Sequence, residues 1–358
     1  MVAPFMTQIF YYNKPFDLES GLTLQGLHLA YKTLGTLNEA GDNVVWIFHA
    51  LTANSNAAEW WPGLVGEGKC FDPQRHFIIC VNMPGSCYGS ISPLDANPAD
   101  GQGWYHRFPQ FTTRDMIRCY QKLKTFLGIC SVHIAIGGSM GGQQALEWSV
   151  EEPSLFKHLV LLATNAQHSA WGIAFNATQR FCIEADQSWK LANGDAGMDG
   201  MKKARAIAML SYRNYTSYAL AQTGWYQDSH SEVPALSKAE TYQQYQGEKL
   251  AKRFNAFSYY FLSRSMDLHD VSRGRVSIEE ALQKVQAATL VIGISSDILF
   301  PVSEQQLLAG VIRGAQLSII DSLYGHDGFL LEYEQIESLI NQFLSTTKEG
   351  VASTFSYS

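Results

Sequence analysis

The stretch Ile134-Ala-Ile-Gly-Gly-Ser-Met-Gly-Gly142 decides which fold this sequence adopts. An apolar run of β type, Val132 to Ile136, leads directly into Gly137-Gly-Ser-Met-Gly141, and Gln143 to Trp148 is typical of the first turns of a helix. A G-x-S-x-G motif between a strand and a helix indicates a nucleophile elbow, a turn so tight that it needs its glycines. We therefore predict that Ser139 is an activated nucleophile beside helix N–H groups that stabilise an oxyanion. The alternative is a glycine-rich turn with a solvated serine.

The composition indicates an ordinary globular protein. Of its 358 residues 46% are hydrophobic and 16% are charged, which allows a large core. The net charge of −7 and the lack of a basic stripe argue against a nucleic-acid partner. We expect no membrane span, because no apolar run approaches about 18 residues, and the first residues lack a signal-peptide pattern. The six cysteines form no C-x-x-C motif, so we expect reduced thiols in a cytoplasmic protein.

Strand and helix patterns alternate along the first half of the chain. Residues 8–34 alternate polar and apolar side chains around turn glycines, which predicts antiparallel strands at the start of the sheet. Thr112 to Leu127 has apolar residues at helical spacing, a threonine cap and Gly128 behind it, which predicts a helix. Apolar runs predict buried strands at residues 44–49, 77–82, 132–136, 158–163, 289–294 and 315–320.

The strand signals stop between residues 165 and 285, where helical patterns rich in aromatic residues take their place. We interpret this stretch as a helical cap inserted into an α/β domain. Residues 1–164 and 286–345 would then form the core, a mostly parallel sheet covered by helices on both faces. A final helix is predicted from Tyr333 to Leu344, followed by a C-terminal tail over residues 346–358.

A base and a carboxylate follow the elbow in the order that the α/β-hydrolase fold requires. A serine hydroxyl needs a general base, and that base needs an orienting acid. In this fold the order is Ser, then Asp or Glu, then His, with the last two on loops after strands. Asp297 follows the predicted strand 289–294 and His326 follows the strand 315–320. We predict a Ser139/Asp297/His326 triad, although an aspartate beside serines is also ordinary turn chemistry.

An oxyanion hole in this fold takes one N–H from the residue after the nucleophile, here Met140. The second N–H comes from the loop after an early strand, where Leu51 is the best candidate. The alternative is that residues 50–54 form a plain strand-exit loop.

No metal or resident cofactor is expected. Met266-Asp-Leu-His-Asp270 clusters His269 with two carboxylates, but no second histidine lies at a ligand spacing. The glycines of the elbow lack the G-x-G-x-x-G spacing of a dinucleotide loop.

The sequence resembles the homoserine O-acetyltransferase family of α/β-hydrolase-fold acyltransferases over roughly residues 12–345. Several of the matching segments lie in the cap, which makes the resemblance far more specific than the elbow alone. The segments are Ala50-Leu-Thr52, Trp60-Trp-Pro-Gly-Leu-Val-Gly66, Gly85-Ser-Cys-Tyr-Gly89, Thr113-Arg-Asp-Met-Ile117, Gly137-Gly-Ser-Met-Gly-Gly142, Gln144-Ala-Leu-Glu-Trp148, His168-Ser-Ala-Trp-Gly-Ile-Ala-Phe-Asn176, Gln179-Arg180, Tyr245-Gln-Gly247, Met266-Asp267, His269-Asp-Val271, Arg273-Gly-Arg275 and His326-Asp-Gly-Phe-Leu330.

The resemblance implies a two-step reaction with acetyl-CoA and L-homoserine as substrates. Ser139 would take the acetyl group from the thioester, and the γ-hydroxyl of homoserine would accept it. The resemblance assigns Arg180 to the substrate α-carboxylate and Asp327 to its α-ammonium group, which suits a guanidinium fork and a carboxylate. It also implies a homodimer, for which the aromatic-rich cap helices could supply an apolar face.

Two departures from the family pattern leave alternatives open. Family members commonly have glycine where this chain has Ala53, and Ser-Thr-Gly-Pro where it has Ser90-Ile-Ser-Pro93. Succinyl transfer and serine as acceptor are therefore alternatives, as is a serine esterase or thioesterase with water as acceptor. A non-enzymatic binding protein is the remaining alternative, against which the complete triad argues.

Overall fold

An eight-stranded sheet is the centre of the structure, a computed structural model that describes residues 7–226 and 236–354, with side chains up to residue 346. The strands are β1 (Gln8–Tyr12), β2 (Phe16–Asp17), β3 (Thr23–Leu24), β4 (Leu27–Leu34), β5 (Val44–Phe48), β6 (Phe77–Val81), β7 (Val132–Gly138), β8 (Phe156–Leu162), β9 (Trp225–Tyr226), β10 (Leu236–Ser237), β11 (Ala288–Ile294) and β12 (Gln316–Ile320). The helices are α1 (Ala57–Trp60), α2 (Thr113–Phe126), α3 (Met140–Glu151), α4 (Ala170–Glu184), α5 (Met198–Tyr212), α6 (Tyr215–Gln222), α7 (Lys238–Ala251), α8 (Ala256–Asp267), α9 (Ile278–Leu282), α10 (Val302–Val311), α11 (Gly328–Leu331) and α12 (Tyr333–Thr354).

The strand order across the large sheet is β1-β4-β6-β5-β7-β8-β11-β12. β4 is antiparallel to both of its neighbours, and the six strands from β6 to β12 in this order are parallel. This confirms a mostly parallel sheet that begins with antiparallel strands. Because carboxyl ends of parallel strands lie at one edge, the loops after β5, β7, β11 and β12 meet there.

Both faces of the sheet are covered, which explains why its central strands are apolar throughout. Successive residues of β5 point to opposite faces. Trp46 packs edge-on against Trp148 of α3, with ring centroids 4.8 Å apart. Ile47 belongs to the cluster on the other face, together with Ile336 of α12. The predicted strands at 44–49, 77–82, 132–136, 158–163 and 289–294 are buried, as expected. The strand predicted at 315–320 forms as β12, but the expectation that it is buried was wrong, because β12 is the edge strand and exposes Leu317 and Ile319.

Helix α2 begins at the predicted threonine cap. The Thr112 hydroxyl accepts a hydrogen bond from the Asp115 N–H, and the Asp115 carboxylate accepts one from the Thr112 N–H. This capping box satisfies two N–H groups that the first turn leaves unpaired. Past the end of the helix, Gly128 has φ of +68°, a conformation that glycine adopts without strain.

The segment between β8 and β11, interpreted above as the cap, consists of helices α4 to α9 and the short antiparallel pair β9/β10. The sequence did not predict that pair, because two-residue strands leave no alternating pattern. A buried charge cluster ties the end of the cap to α3. Glu147, 1% exposed, accepts hydrogen bonds from Arg114 Nε at 2.7 Å and from Arg275 Nη2 at 2.6 Å.

The last helix differs from its prediction. It runs to Thr354 instead of ending at Leu344, so the expected tail was wrong for residues 346–354, and residues 355–358 lie outside the described part of the chain. No proline follows Leu344, and the first glycine after it is Gly350, so the sequence has no helix stop at Leu344. All six cysteines are free thiols, as expected. Among the described helices, none has the length and apolar character needed to cross a bilayer.

Candidate active site

The elbow between β7 and α3 holds Ser139 in a strained backbone conformation. Ser139 has φ of +56° and ψ of −128°, a region that non-glycine residues rarely adopt. The neighbouring glycines are sterically required. A Cβ on Gly137 would lie 2.3 Å from the carbonyl of Gly141, and a Cβ on Gly141 would lie 2.1 Å from the carbonyl oxygen of Phe48. The G-x-S-x-G spacing therefore forms the predicted turn.

Hydrogen bonds with β8, with the residue Thr164 just after it and with α3 fix the serine backbone. The Ser139 N–H donates to the carbonyl of Leu162 at 3.0 Å. The Ser139 carbonyl accepts from Thr164 Oγ1 at 2.8 Å and from the Gln143 N–H at 3.2 Å. Because three bonds satisfy the backbone of a strained residue, its side chain is held at the tip of the sheet.

Asp297 and His326 are joined at the sheet edge where the sequence placed them. Their Oδ2 and Nδ1 atoms are 2.6 Å apart, and both side chains are almost fully buried. The other carboxylate oxygen of Asp297 accepts from the N–H groups of Leu299 at 2.8 Å and Phe300 at 2.9 Å. The carboxylate is thereby fixed in orientation and accepts a hydrogen bond from the Nδ1–H group, which leaves Nε2 of His326 free to act as a base.

Aromatic side chains surround the imidazole ring. Phe300 stacks on His326 with ring centroids 5.0 Å apart and an interplanar angle of 20°. Phe329 and Tyr212 contact the ring at centroid distances of 5.2 and 5.8 Å. This packing restricts rotation of the ring and limits the access of water to it.

Ser139 and His326 line the same cavity of about 330 Å³. The nucleophile and the base therefore face one space, which has room for an amino acid and an acyl group. The other residues of its wall are Ala50, Leu51, Thr52, Ala53, Asn54, Glu59, Trp60, Arg205, Tyr212, Arg253, Asp327, Phe329 and Leu330.

Of the two residues predicted for the oxyanion hole, Met140 directly follows Ser139 and Leu51 lines the same cavity. Met140 is the first residue of α3, so its N–H has no acceptor within the helix. Leu51 lines the cavity in the turn that follows β5. The two N–H groups come from the positions that an oxyanion hole in this fold uses.

His49 supports that turn from within the core. The Met83 N–H donates to Nε2 of His49 at 3.1 Å, so the proton is on Nδ1, which donates to the carbonyl of Ala50 at 2.9 Å. Burial lowers the pKa of His49 to about 4, which keeps the ring neutral at physiological pH. This residue was not predicted from the sequence, because a histidine at the end of a strand carries no distinctive pattern.

The structure does not bring Arg180 to the cavity. Its Nη2 donates to Asp267 Oδ2 at 2.6 Å and its Nη1 donates to Ser263 Oγ at 3.1 Å, both on α8. Asp327 does line the cavity, where Nη2 of Arg213 approaches its carboxylate to 3.3 Å. Of the two residues that the resemblance assigned to the substrate, Asp327 therefore lines the cavity with Ser139, whereas Arg180 is paired with Asp267 away from the cavity wall.

Arg205 is a cavity cation that was not predicted from the sequence. It lies on α5, with its guanidinium 5.2 Å from the ring centre of Tyr212, which also lines the cavity. The two residues are seven apart and so share a helix face. The seven-residue spacing between an arginine and an aromatic residue was the only sequence feature that could have indicated Arg205. It does not show which face of a cap helix points to the cavity.

The chain is similar to proteins of one family over nearly its whole length. The α/β hydrolase fold family matches residues 43–333. A homoserine O-acetyltransferase of Cyclobacterium marinum is 43% identical over 339 residues, 94% of this chain and 95% of that protein. One of Chlorobium chlorochromatii is 40% identical over 348 residues, 96% and 97% of the two chains.

The similarity to this family also holds for the three-dimensional structure. The crystal structure of homoserine O-acetyltransferase from Bacillus anthracis matches with a TM-score of 0.86 at 26% identity, over 95% of this chain and 97% of that chain. Sequence and fold thus agree across the core and the cap. The chain belongs to the homoserine O-acetyltransferase family of the α/β hydrolase fold.

Proposed function

We propose that the protein transfers an acetyl group from acetyl-CoA to the γ-hydroxyl of L-homoserine through an ester on Ser139. The observation that carries this proposal is the buried Asp297–His326 pair, with 2.6 Å between Oδ2 and Nδ1, on the same cavity as Ser139. The names of the relatives above give the acetyl group and homoserine as its acceptor, and acetyl-CoA is the donor that the resemblance implies.

The first step forms the acyl-enzyme. His326 Nε2 takes the hydroxyl proton as Ser139 attacks the thioester carbonyl, and Asp297 stabilises the imidazolium. The N–H groups of Leu51 and Met140 donate to the oxyanion. Collapse of this intermediate breaks the C–S bond, and the imidazolium returns the proton to the departing CoA thiolate.

The second step moves the acyl group to the amino acid. The γ-hydroxyl of homoserine gives its proton to His326 and attacks the Ser139 ester. The same two N–H groups stabilise the new oxyanion, and the proton returns to the serine oxygen as O-acetylhomoserine leaves. The chemistry is symmetrical, because each step exchanges one acyl bond for another at the same serine.

Charged groups on the cavity wall favour an amino acid over water as the acceptor. We propose that Arg205 binds the α-carboxylate, the role that the resemblance assigned to Arg180, because Arg205 lines the cavity. Asp327 would bind the α-ammonium group. Arg205→Met should then raise the KM for homoserine. Arg180→Met should act mainly on stability, because Asp267 loses its cationic partner and keeps the hydrogen bond from Asn176 Nδ2 at 2.8 Å.

A mass measurement tests the acyl-enzyme. With acetyl-CoA alone, the wild-type protein should gain one acetyl group, and Ser139→Ala should gain none while keeping its circular dichroism and melting temperature. Adding homoserine should remove the acetyl group and raise the rate of thiol release. Thiol release that does not respond to homoserine would contradict the transferase and favour a thioesterase.

Donor and acceptor are tested by crossing acetyl-CoA and succinyl-CoA with homoserine and serine and identifying each product by mass. The proposal expects O-acetylhomoserine as the dominant product. Dominant succinyl transfer, or dominant acylation of serine, would replace the proposed substrate pair.

We propose a homodimer that pairs through the cap. Large apolar side chains are exposed on α4, α5 and α6, including Phe181 at 62%, Leu210 at 53% and Leu220 at 74%. Apolar side chains that adjoin one another on a surface are typical of interaction sites. Light scattering should report twice the chain mass, and Leu220→Asp should weaken the association. A stable wild-type monomer at micromolar concentration would contradict the proposal.

A further inference from the structure

Arg253 connects the cap to the turn that carries Leu51. It lies in the cap between α7 and α8, and its exposed side chain extends to the cavity wall. Its Nη1 donates to the carbonyl of Thr52 at 2.5 Å and to the Tyr88 hydroxyl at 2.9 Å. One guanidinium from the cap thus holds two separate segments of the core.

The segment that Arg253 holds is a tight turn over residues 50–53, here called the oxyanion turn. The Ala53 N–H donates to the carbonyl of Ala50 at 3.0 Å and closes it, with Leu51 and Thr52 at the two central positions. The Leu51 N–H, the proposed oxyanion donor, therefore takes its direction from the orientation of this turn.

The core and the cap each anchor one part of the oxyanion turn. His49 Nδ1 donates to the carbonyl of Ala50, before Leu51, and Arg253 donates to the carbonyl of Thr52, after it. Further along the chain, Asn82 Oδ1 accepts from the Ser55 N–H at 2.7 Å. Among the hydrogen bonds of the described residues, Arg253 makes the one cap contact with the oxyanion turn.

The second contact of Arg253 fixes its own position. Burial raises the pKa of Tyr88, so the phenol stays neutral and can accept from the guanidinium. The Tyr88 ring also packs on Phe254, with centroids 5.8 Å apart, and its carbonyl accepts from Asn82 Nδ2 at 2.7 Å. Arg253 therefore bonds to a tyrosine that is itself fixed between the core and the cap.

We infer that Arg253 is a positioning residue that aligns the Leu51 N–H with the oxyanion when the cap lies against the core. The inference rests on the proposed acyl-enzyme and its oxyanion hole. A cap displaced from the core would withdraw the guanidinium from the Thr52 carbonyl, and the oxyanion turn would keep only its core anchors. The rate of acyl transfer therefore depends on whether the cap lies against the core and covers the substrate.

The test compares two acyl donors that share only the acetyl group. Arg253→Met should lower the acylation rate constant at least about 10-fold with both acetyl-CoA and p-nitrophenyl acetate, because a misaligned donor costs part of the 10²–10³ factor of a deleted one. The KM values should change little. Arg253→Lys, which keeps one donor, should recover part of the loss.

Lys252→Met is the matched control, since this neighbouring cation is exposed on the same cap segment. It should keep wild-type rates with both donors. A loss confined to the KM for acetyl-CoA in Arg253→Met would overturn the inference and indicate a contact with the CoA phosphates. A lower melting temperature with unchanged rate constants would overturn it as well.

The proposed function fails independently of Arg253. If wild-type protein forms no acetyl ester, or if Ser139→Ala still forms one, the acyl-enzyme is wrong. If the ester forms on Ser139 and Arg253→Met acylates at the wild-type rate, only the positioning role is wrong.

Discussion

Substituting Gly141 by alanine tests whether the elbow must lie against β5 for catalysis. Gly141 is the second residue of α3, and its φ is ordinary, so alanine meets no backbone strain there. Alanine is instead disfavoured by a steric clash with neighbouring backbone atoms. The added Cβ would lie 2.1 Å from the carbonyl oxygen and 2.9 Å from the carbonyl carbon of Phe48, and 3.2 Å from the carbonyl oxygen of His49.

The clash requires a shift of about 1 Å to restore normal contact distances. The added Cβ is fixed to the backbone of α3 and meets backbone atoms at the end of β5, so one of these two elements must move. These elements carry Met140 and the turn with Leu51. Overpacking of this kind costs about 1–3 kcal/mol of unfolding free energy. A 1 Å error in the geometry of the site costs about 10²-fold in rate, so catalysis should suffer far more than stability.

The assay measures kcat for acetyl transfer together with urea unfolding for Gly141→Ala. We expect a folded protein with kcat lowered about 100-fold. Gly310→Ala is the control, since a Cβ added to Gly310 in α10 would meet no atom within 4 Å, and it should gain about 0.5–1 kcal/mol at unchanged kcat. A folded Gly141→Ala with kcat within about threefold of wild type would refute the steric reasoning.

Three further substitutions test the carboxylate beside His326, the effect of pH on stability, and the buried charge cluster. Asp297→Asn should lower acylation about 10⁴-fold without unfolding, because an amide no longer holds the His326 tautomer, and stopped-flow thiol release near the wild-type rate would contradict this. Burial lowers the pKa of His269 to about 3, so the unfolded chain binds the extra proton between pH 6.5 and pH 3 and the native state loses stability as pH falls through that window. Relative to His269→Gln, which does not titrate at this position, wild type should lose up to about 1.4 kcal/mol of unfolding free energy per pH unit below pH 6. If urea denaturation gives the two proteins the same change of unfolding free energy with pH, the prediction is wrong. Glu147→Ala should cost about 3 kcal/mol of unfolding free energy, because the buried guanidiniums of Arg114 and Arg275 each lose their shortest ion pair. They keep the longer ion pairs to Glu19 and Glu151, each at 3.3 Å, and kcat per folded molecule should be unchanged. A loss under about 1 kcal/mol in the same urea titration would show that the cluster is dispensable.

Local patterns predicted the parts of the site that depend on local chemistry. The elbow needs only five residues, because a strand, a tight turn and a helix dictate its geometry. Asp297 and His326 were predictable because each follows an apolar run that forms a parallel strand, and parallel strands bring the following loops to one edge. The threonine cap of α2 was predictable for the same reason, since the capping residues are neighbours in sequence.

Residues of the cap were not predictable in this way. Arg180 lies in a segment typical of the family, but its partner Asp267 comes 87 residues later, so the sequence does not show that the two charges meet. Arg205 had no sequence pattern that separated it from a surface charge. Which face of a cap helix points to the cavity depends on how helices from distant parts of the chain pack, and hydrophobic periodicity specifies that packing only weakly.

Strands β8 and β11 are neighbours in the sheet although the whole cap separates them along the chain. Their parallel register joins Ala288 to His158 and Ile292 to Leu162. Closing a loop of about 125 residues in place of about 15 costs roughly 2 kcal/mol of chain entropy, since each doubling of length adds about 0.6 kcal/mol. The sheet can therefore form around an insertion of almost any length at small cost. Cap sequences are free to diverge while the strands that precede Ser139, Asp297 and His326 keep their register.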